Sequence, residues 1–310
     1  MRWATFRAPG STQDRVGLVV ENRLHALAPG ARLVDLVADP DRLARFGEQA
    51  RVSPVEVFDL ASVRLRPPVP RPPSVRDFYA FERHVRTARQ RRGLDMDPDW
   101  YEIPVFYFTN PAALVGDGDD VAVPPGCTRL DFELEVACVV GPGGRNLRPS
   151  EAGAHIAGFT VMNDWSARDL QAREMRLGLG PAKGKDFATS LGPFLVTPDE
   201  IASARRARAF DLAMVARVNG REYGRTSLAD LYWGFEEMLA YASRGTEVVP
   251  GDVIGSGTCG GGCILELSLV HGEAAYPWLR PGDLVELEVE RLGRLRNRVV
   301  AGEPLHPLRA

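Results

Sequence analysis

Between Asp131 and Ala137 the chain reads Asp-Phe-Glu-Leu-Glu-Val-Ala, acids alternating with apolar residues. A strand turns successive side chains to opposite faces, which puts Asp131, Glu133 and Glu135 on one side and Phe132, Leu134 and Val136 on the other. Acids are poor strand formers, and like charges two residues apart repel unless a cation sits between them. The plain alternative is a solvated strand face, where acids cost little. The chemical reading is a bound metal ion.

Two further segments carry the same kind of chemistry. Asp164 ends the apolar run Thr160-Val161-Met162-Asn163 and is followed at i+4 and i+7 by Arg168 and Gln171, so a helix starting there brings an acid, a cation and an amide to one face. Its plain alternative is a capping Asp164 paired with Arg168, a surface effect of ~0.3 to 0.5 kcal/mol. Asp77 opens Asp-Phe-Tyr-Ala-Phe-Glu-Arg-His, and as a helix this sets His84 on the same face, about 10 Å along the axis. A metal ligand and a base fit that spacing, whereas His25, His155, His271 and His306 lack such company. Oxygen ligands in this number favour a hard cation, Mg²⁺ or Ca²⁺ with Mn²⁺ as a replacement, over zinc; Mg²⁺ is the expected ion.

The elements that must position these groups are legible in outline. Residues 1–66 read as a small N-terminal β-rich domain, with a hairpin formed by Val16–Val20, the turn Glu21-Asn22 and Leu24–Leu27. The proline-rich stretch 67–74 reads as an extended linker, and residues 75–310 as a metal-dependent catalytic domain. Within it a helical pattern is expected over Asp77–Arg92, a helix over Ser166–Leu177 with Ser166 as N-cap, and another over Leu228–Arg244. Period-2 segments fill most of the remainder, among them Val121–Val123, Phe132–Val140, Leu212–Asn219, Val253-Ile254 and Leu284–Val289.

Six segments, in order, resemble the fumarylacetoacetate hydrolase family over roughly residues 72–305. Asp77 to His84 is similar to the family segment that carries a metal carboxylate and the catalytic histidine, with Tyr79 between them. Asp131 to Ala137 resembles its strand of two metal glutamates, Glu133 and Glu135. Met162 to Gln171 resembles its most distinctive stretch, implying Asp164 as fourth ligand and Arg168 and Gln171 near the substrate. Gly184-Lys185-Asp186-Phe187 matches the lysine segment, pointing to Lys185. Gly257-Thr258 and Leu265-Glu266-Leu267 resemble the substrate-contacting threonine and the glutamate that orients the histidine, and Tyr107 fits a family tyrosine near the substrate.

The resemblance implies an α+β, β-rich fold, a mixed β-sandwich roll with few helices, normally a homodimer. It implies metal-dependent cleavage of a carbon–carbon bond in a small dicarbonyl or 2-oxo acid, with His84 and Glu266 activating water. Oxaloacetate decarboxylation and enol-acid hydration or isomerisation run on the same kind of metal site, and loss of catalysis with retention of metal binding is a minor alternative. Two departures stand out: Met175 lies where some members place a tyrosine, and an arginine expected after His84 has no clear register among Arg89, Arg91 and Arg92.

Composition narrows the rest. A net charge of −3 gives no basic field, so neither nucleic acid nor an anionic membrane is an expected partner. No segment approaches the ~18 uninterrupted apolar residues of a membrane span, and a cytoplasmic protein is expected. Four cysteines in 310 residues do not make a disulfide framework, and Cys259 and Cys263, three glycines apart, read as a Gly-rich loop rather than a zinc site. Gly180 to Lys185 is superficially like a phosphate loop, but lacks the four-residue spacing, the following Ser or Thr and the preceding strand.

Overall fold

The computed structural model describes residues 1–90 and 93–309. One large mixed sheet organises the chain. Its main path runs Glu56–Asp59, Arg23–Ala26, Arg15–Val20, Arg2–Arg7, Thr189–Val196, Ile156–Asp164, Leu134–Val140, Val253–Gly255, Val75–Phe78, Phe106–Thr109. A second sheet orders Arg221–Ser227, Ala213–Val218, Leu284–Val289, Gly293–Val300 and Asp120–Ala122. The fold is α+β and β-rich, as the sequence implied.

The central strands are buried on both faces, and their side chains divide by parity. Leu134, Val136, Cys138 and Val140 join Met214, Ala216, Val285 and Leu287 of the second sheet in the larger core. Ala137 and Val139 face the other way, into a core shared with Trp3, Leu33, Leu36 and Val37. The expected hairpin forms, Gly17 to Val20 pairing with Ala26 to Arg23, and its sheet joins the centre where Trp3 pairs with Leu195. Among the described residues no helix is long and apolar enough to cross a membrane.

Several expected elements change form. Asp77 is not on a helix: Val75–Phe78 is a strand, and the helix spans Glu82–Gln90. Sheet pairing on both sides overrides the local pattern, because Asp77 stands opposite Gly255 on one edge and Tyr107 on the other. Arg91 and Arg92 lie outside the described residues. Ser166 does not cap a helix; its hydroxyl donates to the Asp164 carbonyl, and the helix spans Arg168–Met175. The segment 228–244 splits into a 3₁₀ turn, Leu228–Asp230, and a helix, Phe235–Ala242, separated by extended Gly234. The acidic strand also breaks: Asp131 pairs with Ser166, and the long strand starts only at Leu134.

Phe159 packs edge-on against Phe210 and Phe235, each 5.2 Å away between centroids. Phe159→Ala should lower unfolding free energy by ~3 to 5 kcal/mol through lost burial and the cavity left behind. Chemical denaturation checks this, and a loss below ~1 kcal/mol would show that the contact is dispensable.

Candidate metal centre and active site

Four acids converge from three stretches of the sequence. Glu135 lies on Leu134–Val140 beside Met162 of the neighbouring strand, which ends in Asp164. Asp77 reaches the same face from the parallel pairing of Val75–Phe78 with Val253–Gly255. Glu133 comes from the break in its strand, where Asn163 Oδ1 accepts its backbone N–H at 2.9 Å. One carboxylate oxygen from each of Asp77, Glu133, Glu135 and Asp164 lies within 4.8 Å of the others, and all four residues are buried.

Gly255 sets the spacing of this group. A Cβ there would stand 2.5 Å from Asp77 Oδ1 and 3.0 Å from the Met162 sulfur. Asp77 is held from the other side by the N–H of Gly257 at 3.1 Å. Only a residue without a side chain lets the strand pass so close to the carboxylate.

Two buried cations answer the charge. Lys185 Nζ donates to Glu133 Oε2 at 2.6 Å and to Asp164. Arg168 donates through Nε to Asp131 Oδ2 at 2.8 Å, through Nη2 to Glu133 Oε1 at 2.7 Å and through Nη1 to Gln171 Oε1 at 3.0 Å. Asp131 therefore lies outside the four-acid group. Its carboxylate also accepts the N–H groups of Ile264 and Leu265, at 2.7 and 3.0 Å, anchoring the start of the helix Ile264–His271. The expected Asp164–Arg168 face does not form, because Asp164 ends a strand and its partners are Lys185 and Tyr107.

Lys185 is placed by the loop that looked like a phosphate site. The N–H groups of Ala182, Lys183 and Gly184 do bind an anion, but it is the chain's own Glu174, at 2.9, 2.7 and 3.0 Å. Gly184 packs so close to Gln171 that a Cβ would lie 2.7 Å from its backbone nitrogen.

His84, on Glu82–Gln90, meets Glu266, on Ile264–His271, with Nδ1 2.9 Å from Oε2. Glu266 is a buried helical residue. The Tyr79 ring stands edge-on to the imidazole, centroids 5.8 Å apart. Thr258 Oγ1 lies 3.5 Å from Glu135 Oε1, and the Tyr107 hydroxyl donates to Asp164. All the expected site residues except Glu135 and Asp164 line one cavity of about 720 Å³, and those two acids each contact a residue that lines it, Glu135 through Thr258 and Asp164 through Lys185. Met175 also lines it, where a tyrosine was looked for, while Arg89 turns away to the Asp95 carbonyl. Sequence reasoning missed the parts played by Asn163 and by the Arg168–Asp131 pair, although these residues lie in segments it singled out, and it missed Gly255, Arg129 and Trp278 altogether, which sit in no pattern that marks them.

The electrostatics fit a cation. Five buried carboxylates (Asp77, Asp131, Glu133, Glu135, Asp164) face two buried cations, Arg168 and Lys185. Burial pushes Asp77 up to about 6, with Glu135 and Lys185 opposing, and Asp164 up to about 8, with Lys185 opposing and Asp77 adding to the rise. Burial and then Asp77 push Glu135 well above the usual carboxylate range. At Glu133 burial acts upward too, but Lys185 and Arg168 outweigh it and hold the group well below that range. Glu135 Oε2 and Asp164 Oδ1 are buried and accept no hydrogen bond. Buried acceptors of this kind are costly unless a proton or cation serves them, and an all-oxygen set suits a hard divalent ion.

Two outcomes follow. Between about pH 4 and 8 the metal-free folded chain binds more protons than the unfolded one, because Asp77 and Asp164 are raised. Its stability must then fall as pH rises through that window. Mg²⁺ should reverse the loss, so the Tm difference between loaded and metal-free protein widens with pH; a difference that narrows would contradict the assignment. Gly255→Ala should weaken Mg²⁺ binding at least ~10-fold by displacing Asp77, read by calorimetric titration.

Comparison with known proteins agrees with this architecture. The human mitochondrial oxaloacetate tautomerase FAHD2A is 30% identical over 315 residues, covering 97% of this chain and 92% of its own. Fumarylacetoacetase of Arabidopsis thaliana is 31% identical over 242 residues, 62% of this chain; the match spans only 57% of that plant protein. The solved fumarylacetoacetate hydrolase of psychrophilic Exiguobacterium antarcticum superposes with a TM-score of 0.72 at 26% identity, covering 97% of this chain and 100% of that one. Residues 74–300 match the family described as fumarylacetoacetate (FAA) hydrolase C-terminal, and the chain belongs to the fumarylacetoacetate hydrolase family.

Proposed function

We propose that this protein is a metal-dependent hydrolase that cleaves a carbon–carbon bond in a β-diketone or 2,4-diketo acid, an acylpyruvate or fumarylacetoacetate-like compound. One observation carries the reading: the His84–Glu266 pair, 2.9 Å apart, opens on the same cavity as the four-carboxylate group. Held by Asp77, Glu133, Glu135 and Asp164, Mg²⁺, with Mn²⁺ or Ca²⁺ able to replace it, would draw electron density from the carbonyl oxygens of the substrate.

The chain's own groups do the rest. Glu266 accepts from Nδ1–H of His84, which fixes the tautomer with Nε2 free to take a proton from water. The water oxygen adds to the acyl carbon, the carbon–carbon bond breaks, and the proton passes to the carbon of the departing fragment, leaving a carboxylic acid and a methyl ketone, which is itself a 2-oxo acid when the substrate is a 2,4-diketo acid. Arg168 and Lys185, braced on Glu133, present positive charge to the substrate carboxylate, and Gln171 holds the Arg168 fork. Tyr79, Tyr107 and Thr258 line the space where the diketone lies. In this reading residues 75–310 carry the chemistry, residues 1–66 and the linker 67–74 extend and brace it, and the working form is a cytoplasmic homodimer.

A second reading is favoured by the full-length match to the protein named oxaloacetate tautomerase. The same dyad can move a proton between carbon and solvent without water adding to the substrate, and decarboxylation needs still less of it. Product analysis separates the two. With Mg²⁺ present, acylpyruvates should yield two acids, and His84→Ala should lower kcat ~10² to 10⁴-fold with Mg²⁺ affinity nearly unchanged. Enol–keto exchange without cleavage would favour the tautomerase, and undiminished cleavage by His84→Ala would sink the role given to the dyad.

A further inference from the structure

A second group of ligand-type side chains is not all oxygen. One ligand atom each from His84, Cys263 and Glu266 lies within 4.8 Å of the others, and all three residues are buried. Cys263 stands at the start of the helix Ile264–His271, where its sulfur accepts the Glu266 N–H at 3.5 Å. Thiol and carboxylate thus share one helical turn, and His84 closes on the carboxylate from Glu82–Gln90. His84 and Glu266 line the cavity, so an ion can reach the group from solvent.

We propose that His84, Cys263 and Glu266 form a second cation site, one for a soft or borderline divalent ion such as Zn²⁺ or Cd²⁺, and that its occupation arrests the enzyme. A sulfur, an imidazole nitrogen and a carboxylate oxygen are the donor set such ions prefer, whereas Mg²⁺ takes oxygen almost alone. Bonds of ~2.0 to 2.3 Å hold tetrahedral ligand atoms ~3.3 to 3.7 Å apart, so the group need close by only about an ångström. Binding releases the thiol proton to solvent and leaves the fourth position open toward the cavity. The imidazole lone pair that would accept the proton of water is then occupied, or its nitrogen is withdrawn from Glu266. The arrest rests on the water-activating role proposed above; the binding does not. Cys259, the other cysteine of the Gly-rich loop, takes no part, which is why no zinc spacing is visible in the sequence.

The test uses the full chain loaded with Mg²⁺, compared with C263S and with C127S, which removes the one partly exposed cysteine. Serine is a good helix N-cap, so C263S should fold, and its own Mg²⁺-dependent turnover reports that it has. Titration with Cd²⁺ should raise the ultraviolet charge-transfer band of a cadmium–thiolate bond in the parent and in C127S but not in C263S. Zn²⁺ in the same range should cut acylpyruvate turnover more than tenfold in the parent and leave that of C263S little changed. A band that survives in C263S, or no band in the parent, would overturn the site. A Cys263-dependent band with full turnover would uphold the site and overturn the dyad's part in the proposed reaction.

Discussion

The cost of burying like charges governs this structure. Four carboxylates sit within 4.8 Å of one another at a cavity, with a fifth, Asp131, alongside, and among the described residues the buried cations Arg168 and Lys185 answer them. Isolated carboxylates do not stay ionised in such surroundings; they take up protons or collect cations. The arrangement gives each acid a different partner. Glu133 is held ionised between Lys185 and Arg168, while Glu135 and Asp164 each keep an oxygen with no hydrogen bond. Those oxygens mark where positive charge is missing.

Much of the backbone serves that charge group. The strand that begins at Leu134 stops short of Asp131 so that Glu133 can turn toward Arg168 and Lys185. Gly255 lets one strand pass Asp77 at a distance no side chain permits. The loop before Lys185 is tied down by three amides on Glu174, which aims the lysine inward. Around this centre the apolar parity of Leu134–Val140 fills two cores at once, so the acids are supported by a sheet that cannot shift without emptying both.

The alternation of acids and apolar residues, the strand-rich pattern and the family motifs were enough to name the fold and the residues that the structure gathers around one cavity. Local geometry was less legible. Asp77 and His84 fall in a charged, aromatic segment that suits a helix, yet pairing with Gly255 and Tyr107, both far away in sequence, makes Asp77 a strand residue. Glu266 was legible only through the resemblance, and the helix that carries it is anchored from far off by Asp131, which accepts two backbone amides of its first turn. The loop from Gly180 to Gly184 holds an anion after all, and that anion is internal. In each case a contact across more than a hundred residues, or a local anion unknown to the motif, decides the form.

The family carries more than one reaction on one centre, so the centre itself is the claim on which the rest depends. Anomalous scattering from crystals of the full chain soaked in Mn²⁺ tests it most directly. A single peak ~2.0 to 2.3 Å from oxygens of Asp77, Glu133, Glu135 and Asp164 is the result this account requires. A peak elsewhere, or none at saturating Mn²⁺ while the four acids keep their places, would mean that protons and Lys185 alone neutralise the group, and the metal-dependent reading would fall.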